Sequence, residues 1–159
     1  VDKYTWVDSG SSFLPSEIIA AFLYAQLEQA TTIQDKRMAI WSRYDASLRP
    51  IESTYGFSTP TIPDNCEHNA HMYYLIAKSE QQRNALIQYL REKSIYAPFH
   101  FQPLHSSPYG KKFHQSGKEL PLTDSLSSRL IRLPLYYDIT HEEQDFVIEE
   151  TIKFFKAKS

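Results

Sequence analysis

From Ser16 to Leu48 one stripe recurs every three or four residues: Ile18, Phe22, Ala25, Gln29, Ile33, Lys36, Ile40, Tyr44 and Leu48. That is the period of an α-helix. Ser16 suits its N-cap, and Pro15 suits the non-helical entry. Unbroken, such a helix would run about 50 Å at about 1.5 Å per residue, more than so small a chain can cover. The pattern therefore predicts a rod that bends or spans two bodies, or else two shorter helices packed on each other. The β-branched run Thr31-Thr32-Ile33 is the expected weak point. Pro50 ends the helix, and the stretch to Pro63 reads as an extended linker.

Beyond Pro63 the period changes. His68 to Ile76 reads as a strand with Ala70, Met72, Tyr74 and Ile76 on one face. Ser79 and Gln82 form a capping box that opens a helix with the stripe Ala85, Leu86, Tyr89 and Leu90. Ile95 to Phe101 reads as a second strand, edge or bulged because Pro98 interrupts it. A loop runs from Pro103 to Leu120. Thr123 can cap a short helix through Leu130, and Leu130 to Leu133 reads as a short strand. Thr140 and Glu143 form a second capping box. It precedes a last helix with Gln144, Val147, Ile148, Thr151, Ile152 and Phe155 on one side. The order predicts an α/β unit, a small sheet covered by helices.

Composition narrows the function. The 159 residues, 42% hydrophobic and 23% charged, suit one domain with a core. Aromatics reach 14%, which points to contact surfaces beyond that core. A net charge of −2 with dispersed Lys and Arg argues against a nucleic-acid partner. Cys66 is the single cysteine, so no internal disulfide can form. No apolar run is long enough to cross a bilayer, so no membrane partner is expected and a cytoplasmic location is the default. A chain opening on Val1 reads as a piece of a larger protein.

Candidate chemistry is sparse. Cys66, His68 and His71 lie close in sequence, yet strand alternation sends the two histidines to opposite faces. A closed zinc site needs about four convergent ligands, so no metal site is expected. His100 and His105 bracket the end of the second strand, either to meet a ligand or to hold the loop by a hydrogen bond. Ser9-Gly10-Ser11-Ser12 can hold a phosphate or cap the helix. Arg129 and Arg132 can meet an anion or buttress the short strand. No nucleophile elbow, P-loop or dinucleotide fingerprint is present.

Several segments in order carry a resemblance: YTWVDSGSSFLPSEIIAAFLYAQLE, RMAIWSRYDASL, CEHNAHMYYLI, HFQPLHSSPYGKKF and SSRLIRLPLYYDITHEEQ. Together they resemble the carboxyl-terminal portion of the DegT/DnrJ/EryC1/StrS sugar aminotransferases, which use pyridoxal 5'-phosphate on a fold-type I, aspartate aminotransferase-like scaffold. The resemblance implies that residues 1–15 end the large cofactor domain. It makes 16–50 the long connecting helix and 51–159 the small domain, with a mostly antiparallel sheet and covering helices. It places the Schiff-base lysine upstream of Val1, so no residue here is assigned as catalytic and the chain alone is expected to be inactive. The family's Gly-x-Asn-x-Arg reads Gly10-Ser11-Ser12-Phe13-Leu14 here. Ser12 stands at the asparagine position and is implied, with Gly10 and Ser11, to meet the cofactor phosphate. Leu14 cannot make the arginine's charged contact.

His105 matches the histidine of the family's proline-leucine-histidine motif, implying a role in positioning a nucleotide-sugar. Phe101 and Tyr109, with Phe99, could line the sugar or base pocket. The implied reaction moves an amino group from glutamate to a 4-keto sugar, in a homodimer completed by the N-terminal domain. The alternative reading is a freestanding ligand-sensing or dimerisation module with a ferredoxin-like sheet.

Overall fold

The computed structural model describes residues 13–112 and 119–157. It divides into two units, Val1–Ile33 and Gln34–Ser159. In the first, α1 (Glu17–Glu28) starts where the sequence places it, with the Ile19 N–H donating to Ser16 Oγ at 3.4 Å. The helix stops at Gln29, whose N–H turns back to the Gln26 carbonyl at 3.1 Å. Helix α2 (Ala30–Leu48) begins at once. The expected rod is therefore interrupted two residues before Thr31-Thr32-Ile33, which is itself helical. β-branching costs only a few tenths of a kcal/mol per residue, and a helix absorbs that readily. No residue of α1 is buried, and Ile18 is 83% exposed.

The second unit holds the core. Helix α2 contributes Ile40, Trp41, Tyr44 and Leu48 to it. Pro50 does not lead into an extended linker. A 3-10 turn (Arg49–Ile51) and the one-turn α3 (Glu52–Tyr55) follow, closed by Gly56 at φ 69°. Proline near a helical start loses no bond, because its missing N–H would be unsatisfied anyway.

Strand β1 (Tyr73–Ile76) pairs antiparallel with β2 (Leu130–Leu133), Tyr73 opposite Leu133 and Tyr74 opposite Arg132. Single bridges extend the sheet, Ser58 to Ile76 beside β1 and Phe99 to Ile131 beside β2. The expected second strand thus survives as one bridge, where the Arg132 N–H reaches the Pro98 carbonyl. Pro98 has no N–H to return, which fits its edge position. A ferredoxin-like sheet needs four strands; two strands form among the described residues.

The expected strand from His68 is shorter and has its other face inward. Tyr73 and Leu75 are buried, whereas Tyr74 and Ile76 are only partly so. Ala70 adopts φ 49°, which breaks the alternation before β1 begins. Local side chains hold that kink: His68 Nδ1 accepts from Ala70 N–H, and Asn69 Oδ1 accepts from His71 N–H. The guanidinium of Arg37 donates to the Ala70 and His71 carbonyls at 2.9 and 2.7 Å. Such bonds compete directly with a sheet ladder.

Helices α4 (Glu80–Glu92) and α6 (His141–Ala157) complete the core with Leu86, Leu90, Val147, Ile148 and Phe155. Both caps form, though only Thr140–Glu143 closes as a full box; Gln82 Oε1 accepts from the Lys78 N–H rather than from Ser79. The Gln82 N–H donates to Ser79 Oγ at 3.1 Å, while Thr140 and Glu143 bond each other's backbone N–H at 3.1 and 2.8 Å. One stripe position differs: Ala85 is exposed and Arg83 is buried in its place. Among the described residues no helix is long and apolar enough to cross a membrane, and no three His, Cys, Asp or Glu gather as a metal site would need. His68 is spent on the core, its ring 4.4 Å from that of Trp41.

Candidate functional site

The chain leaves the sheet after Phe99 and folds into a loop pinned by its own hydroxyls. Ser107 Oγ donates to the Leu104 carbonyl at 2.7 Å and accepts from Gly110 N–H at 2.9 Å. A Cβ at Gly110 would lie 1.7 Å from the Leu104 carbonyl oxygen, so this fold of the loop admits only glycine. The 3-10 turn Leu104–Ser106 is thereby packed against a second, Gly110–Lys112.

That turn carries His105 inward. Its Nε2 stands 3.0 Å from Asp124 Oδ1, and the side chain is 16% exposed. Asp124 sits in the first turn of α5 (Pro121–Arg129), which starts two residues before the expected cap Thr123 because Pro121 takes the opening position. At that distance the carboxylate stands within ion-pair reach of the imidazole. Around the pair lies a cleft of about 540 Å³, lined also by Ser106, Lys111 and Glu119. A second cleft of about 630 Å³ shares Ser106 and Asp124 and is lined by Arg83, Phe99 and Gln102.

The candidate residues separate. His105 lines the first cleft, whereas Phe101 and Tyr109 line neither and stand 80% and 68% exposed. Phe101 leans on the His100 ring at 4.9 Å, and Lys112 lies 5.2 Å from the Tyr109 ring. Phe99 borders the second cleft, with the Arg83 guanidinium 5.5 Å over its ring. Gly10, Ser11 and Ser12 lie outside the described residues. Arg129 serves the fold, donating to the carbonyls of Ala77 and Ser125 and to Ser125 Oγ.

Two residues of this site lay beyond the sequence reading. Asp124 is nineteen residues from His105, and no local spacing couples them. Arg83 could have been found, because it falls three and seven residues before Leu86 and Leu90 on the same buried stripe. Its only ion pair is with Glu80 at 3.6 Å, among the described residues.

The family model that matches is described as the DegT/DnrJ/EryC1/StrS aminotransferase family, and it covers residues 2–152. The spore coat polysaccharide biosynthesis protein SpsC of Bacillus subtilis is 30% identical over 138 residues, 84% of this chain and 35% of that protein. The dTDP-4-dehydro-2,3,6-trideoxy-D-glucose 4-aminotransferase of Saccharopolyspora spinosa is 24% identical over 143 residues, 90% of this chain and 35% of that protein. A crystal structure of S. venezuelae DesV in complex with a ketimine intermediate superposes with a TM-score of 0.86 at 20% identity, over 98% of this chain and 40% of that one. The chain thus spans little more than a third of the length of the curated relatives it matches, and its fold is that part of a fold-type I aminotransferase. On the family match across nearly its whole length, the chain belongs to the DegT/DnrJ/EryC1/StrS aminotransferase family.

Proposed function

We propose that this chain forms the substrate-side wall of a pyridoxal-phosphate-dependent nucleotide-sugar aminotransferase. The complete enzyme, on this reading, moves an amino group from glutamate to the 4-keto carbon of dTDP-4-keto-6-deoxy-D-glucose and yields dTDP-4-amino-4,6-dideoxy-D-galactose. It works in the cytoplasm as a homodimer, with an N-terminal domain holding the cofactor.

The observation that carries the reading is the His105–Asp124 pair, held at 3.0 Å on a loop that glycine and serine lock in place. An imidazole so oriented positions a polar ligand; it is not assigned proton abstraction. Phe101 and Tyr109, both largely exposed, offer ring surface on which a base or sugar ring can lie. When bound, pyridoxal phosphate acts as the electron sink for the transfer. Gly10, Ser11 and Ser12 are proposed to meet its phosphate through hydroxyl and backbone donors.

The test is direct. The complete polypeptide, given pyridoxal phosphate, glutamate and the keto-sugar nucleotide, should release 2-oxoglutarate and the aminated sugar nucleotide, read by mass spectrometry. Amination of a 3-keto but not a 4-keto nucleotide would remove the substrate assignment. Failure to convert any keto-sugar nucleotide would remove the function.

A further inference from the structure

A third cavity, of about 600 Å³, lies apart from the loop, at the end of β2. Leu133, Leu135, Ile139 and Phe146 make its apolar side, and Tyr96 and Tyr136 also line it. This volume is in the range that takes small organic ligands, roughly 300–1,000 Å³.

The polar side is basic. Arg132 and His71 both line the cavity. Among the described residues Arg132 makes no side-chain hydrogen bond or ion pair, and its Nε is buried without a partner. His100 Nδ1 is likewise buried and unpartnered. The His100 imidazole is pushed below its ordinary value by burial, then by the charges of Arg132 and His71. One carboxylate, Glu143, shares the wall; its Oε2 accepts from Thr140 N–H at 2.8 Å and from the Tyr136 hydroxyl at 3.5 Å, and it forms no ion pair with Arg132. Lys93, also on the wall, stands over the Tyr89 ring at 5.6 Å. A guanidinium held partly out of water with no carboxylate paired to it costs stability, and an anion arriving there recovers it.

We propose that this cavity is a binding site for a small anion carrying an apolar or aromatic body. Arg132 and His71 take the phosphate or carboxylate head, and Leu135, Ile139 and Phe146 take the body. The shape supports both halves: a bare inorganic ion would leave the apolar wall wet, and a neutral apolar ligand would leave Arg132 unpaired. The site goes beyond the aminotransferase reading and stands or falls without it.

Isothermal titration of the complete polypeptide tests it, with phenyl phosphate, phenylacetate, inorganic phosphate and benzyl alcohol as probes. Phenyl phosphate or phenylacetate should bind at least about tenfold more tightly than benzyl alcohol, in line with a charge-assisted hydrogen bond. The preference between those two anions then identifies the head group. Arg132→Gln should weaken that binding about tenfold or more, and Arg132→Lys by less, since lysine keeps the charge and loses the fork. Phe146→Ala should weaken phenyl phosphate while leaving inorganic phosphate unchanged, a split that a misfolded variant would not give. Equal affinity for benzyl alcohol and the anions, or full binding in a folded Arg132→Gln chain, overturns the proposal. Inorganic phosphate binding as tightly as phenyl phosphate overturns its apolar half.

Discussion

Tyr44→Phe isolates one bond that ties the helical layer to the end of the sheet. Tyr44 is fully buried, and its hydroxyl donates to the Pro134 carbonyl at 2.8 Å, just past β2. Phenylalanine keeps the ring, including its stacking on Tyr73 at 5.3 Å between centroids. The hydroxyl deletion therefore removes one good hydrogen bond and leaves a part-buried carbonyl without that donor. The net bond contributes about 1 kcal/mol and the abandoned acceptor can raise the cost to about 3 kcal/mol. For a chain of this length about 1 kcal/mol moves the melting temperature by roughly 2–4 °C. The expected loss is therefore about 1–2 kcal/mol, or roughly 2–8 °C, read by urea denaturation and by calorimetry.

Tyr73→Phe is the internal control. Its hydroxyl reaches Asp45 at a longer 3.3 Å, and Asp45 also pairs with Arg49 at 2.8 Å, so the carboxylate keeps a partner. The cost there should be under about 1 kcal/mol. Equal losses in the two variants, or no loss in Tyr44→Phe, would refute the reasoning.

Three further outcomes follow from the same geometry. Burial, the largest cause, holds the Tyr44 and Tyr73 phenols well above their ordinary value of 10, so the fold retains protons that the unfolded chain gives up. Stability should be whole below pH 10 and fall above it by up to about 1.4 kcal/mol per pH unit for each group, a slope that Tyr44→Phe with Tyr73→Phe should make shallower in alkaline denaturation. Gly110→Ala should unpin the loop, because its Cβ meets the Leu104 carbonyl oxygen; proteolysis should then cut between residues 104 and 112 while the thermal transition of the core is unchanged. Thr140→Ala should cost about 1 kcal/mol in urea denaturation, since its Oγ1 caps α6 through the Glu143 N–H; unchanged stability would contradict the capping role.

What the sequence disclosed was local. The two caps are four-residue patterns whose partners are fixed by helix geometry alone, and both Ser79 and Thr140 cap their helices. β2 was legible because Leu130 to Leu133 is short, apolar and followed by proline. The face of β1 was not, because alternation presumes an unbroken strand and Ala70 turns at a positive φ that no periodicity announces. Arg83 was passed over because charge outweighed spacing: its position lies on the buried stripe, and a flat aromatic face at Phe99 makes that burial tolerable. The site suffered most. His105 was named from its place past the second strand and from the resemblance, whereas Asp124, 3.0 Å from it, is brought in by the packing of α5 against the loop.

The role of that pair can be measured in the complete polypeptide by separating the two half-reactions of His105→Ala in stopped flow. Positioning of the sugar nucleotide by His105 requires the keto-sugar half-reaction to lose affinity about tenfold or more. The glutamate half-reaction should keep its rate and its half-saturation. Equal impairment of both halves, or undiminished affinity for the sugar nucleotide, would contradict the assignment of this loop to the substrate.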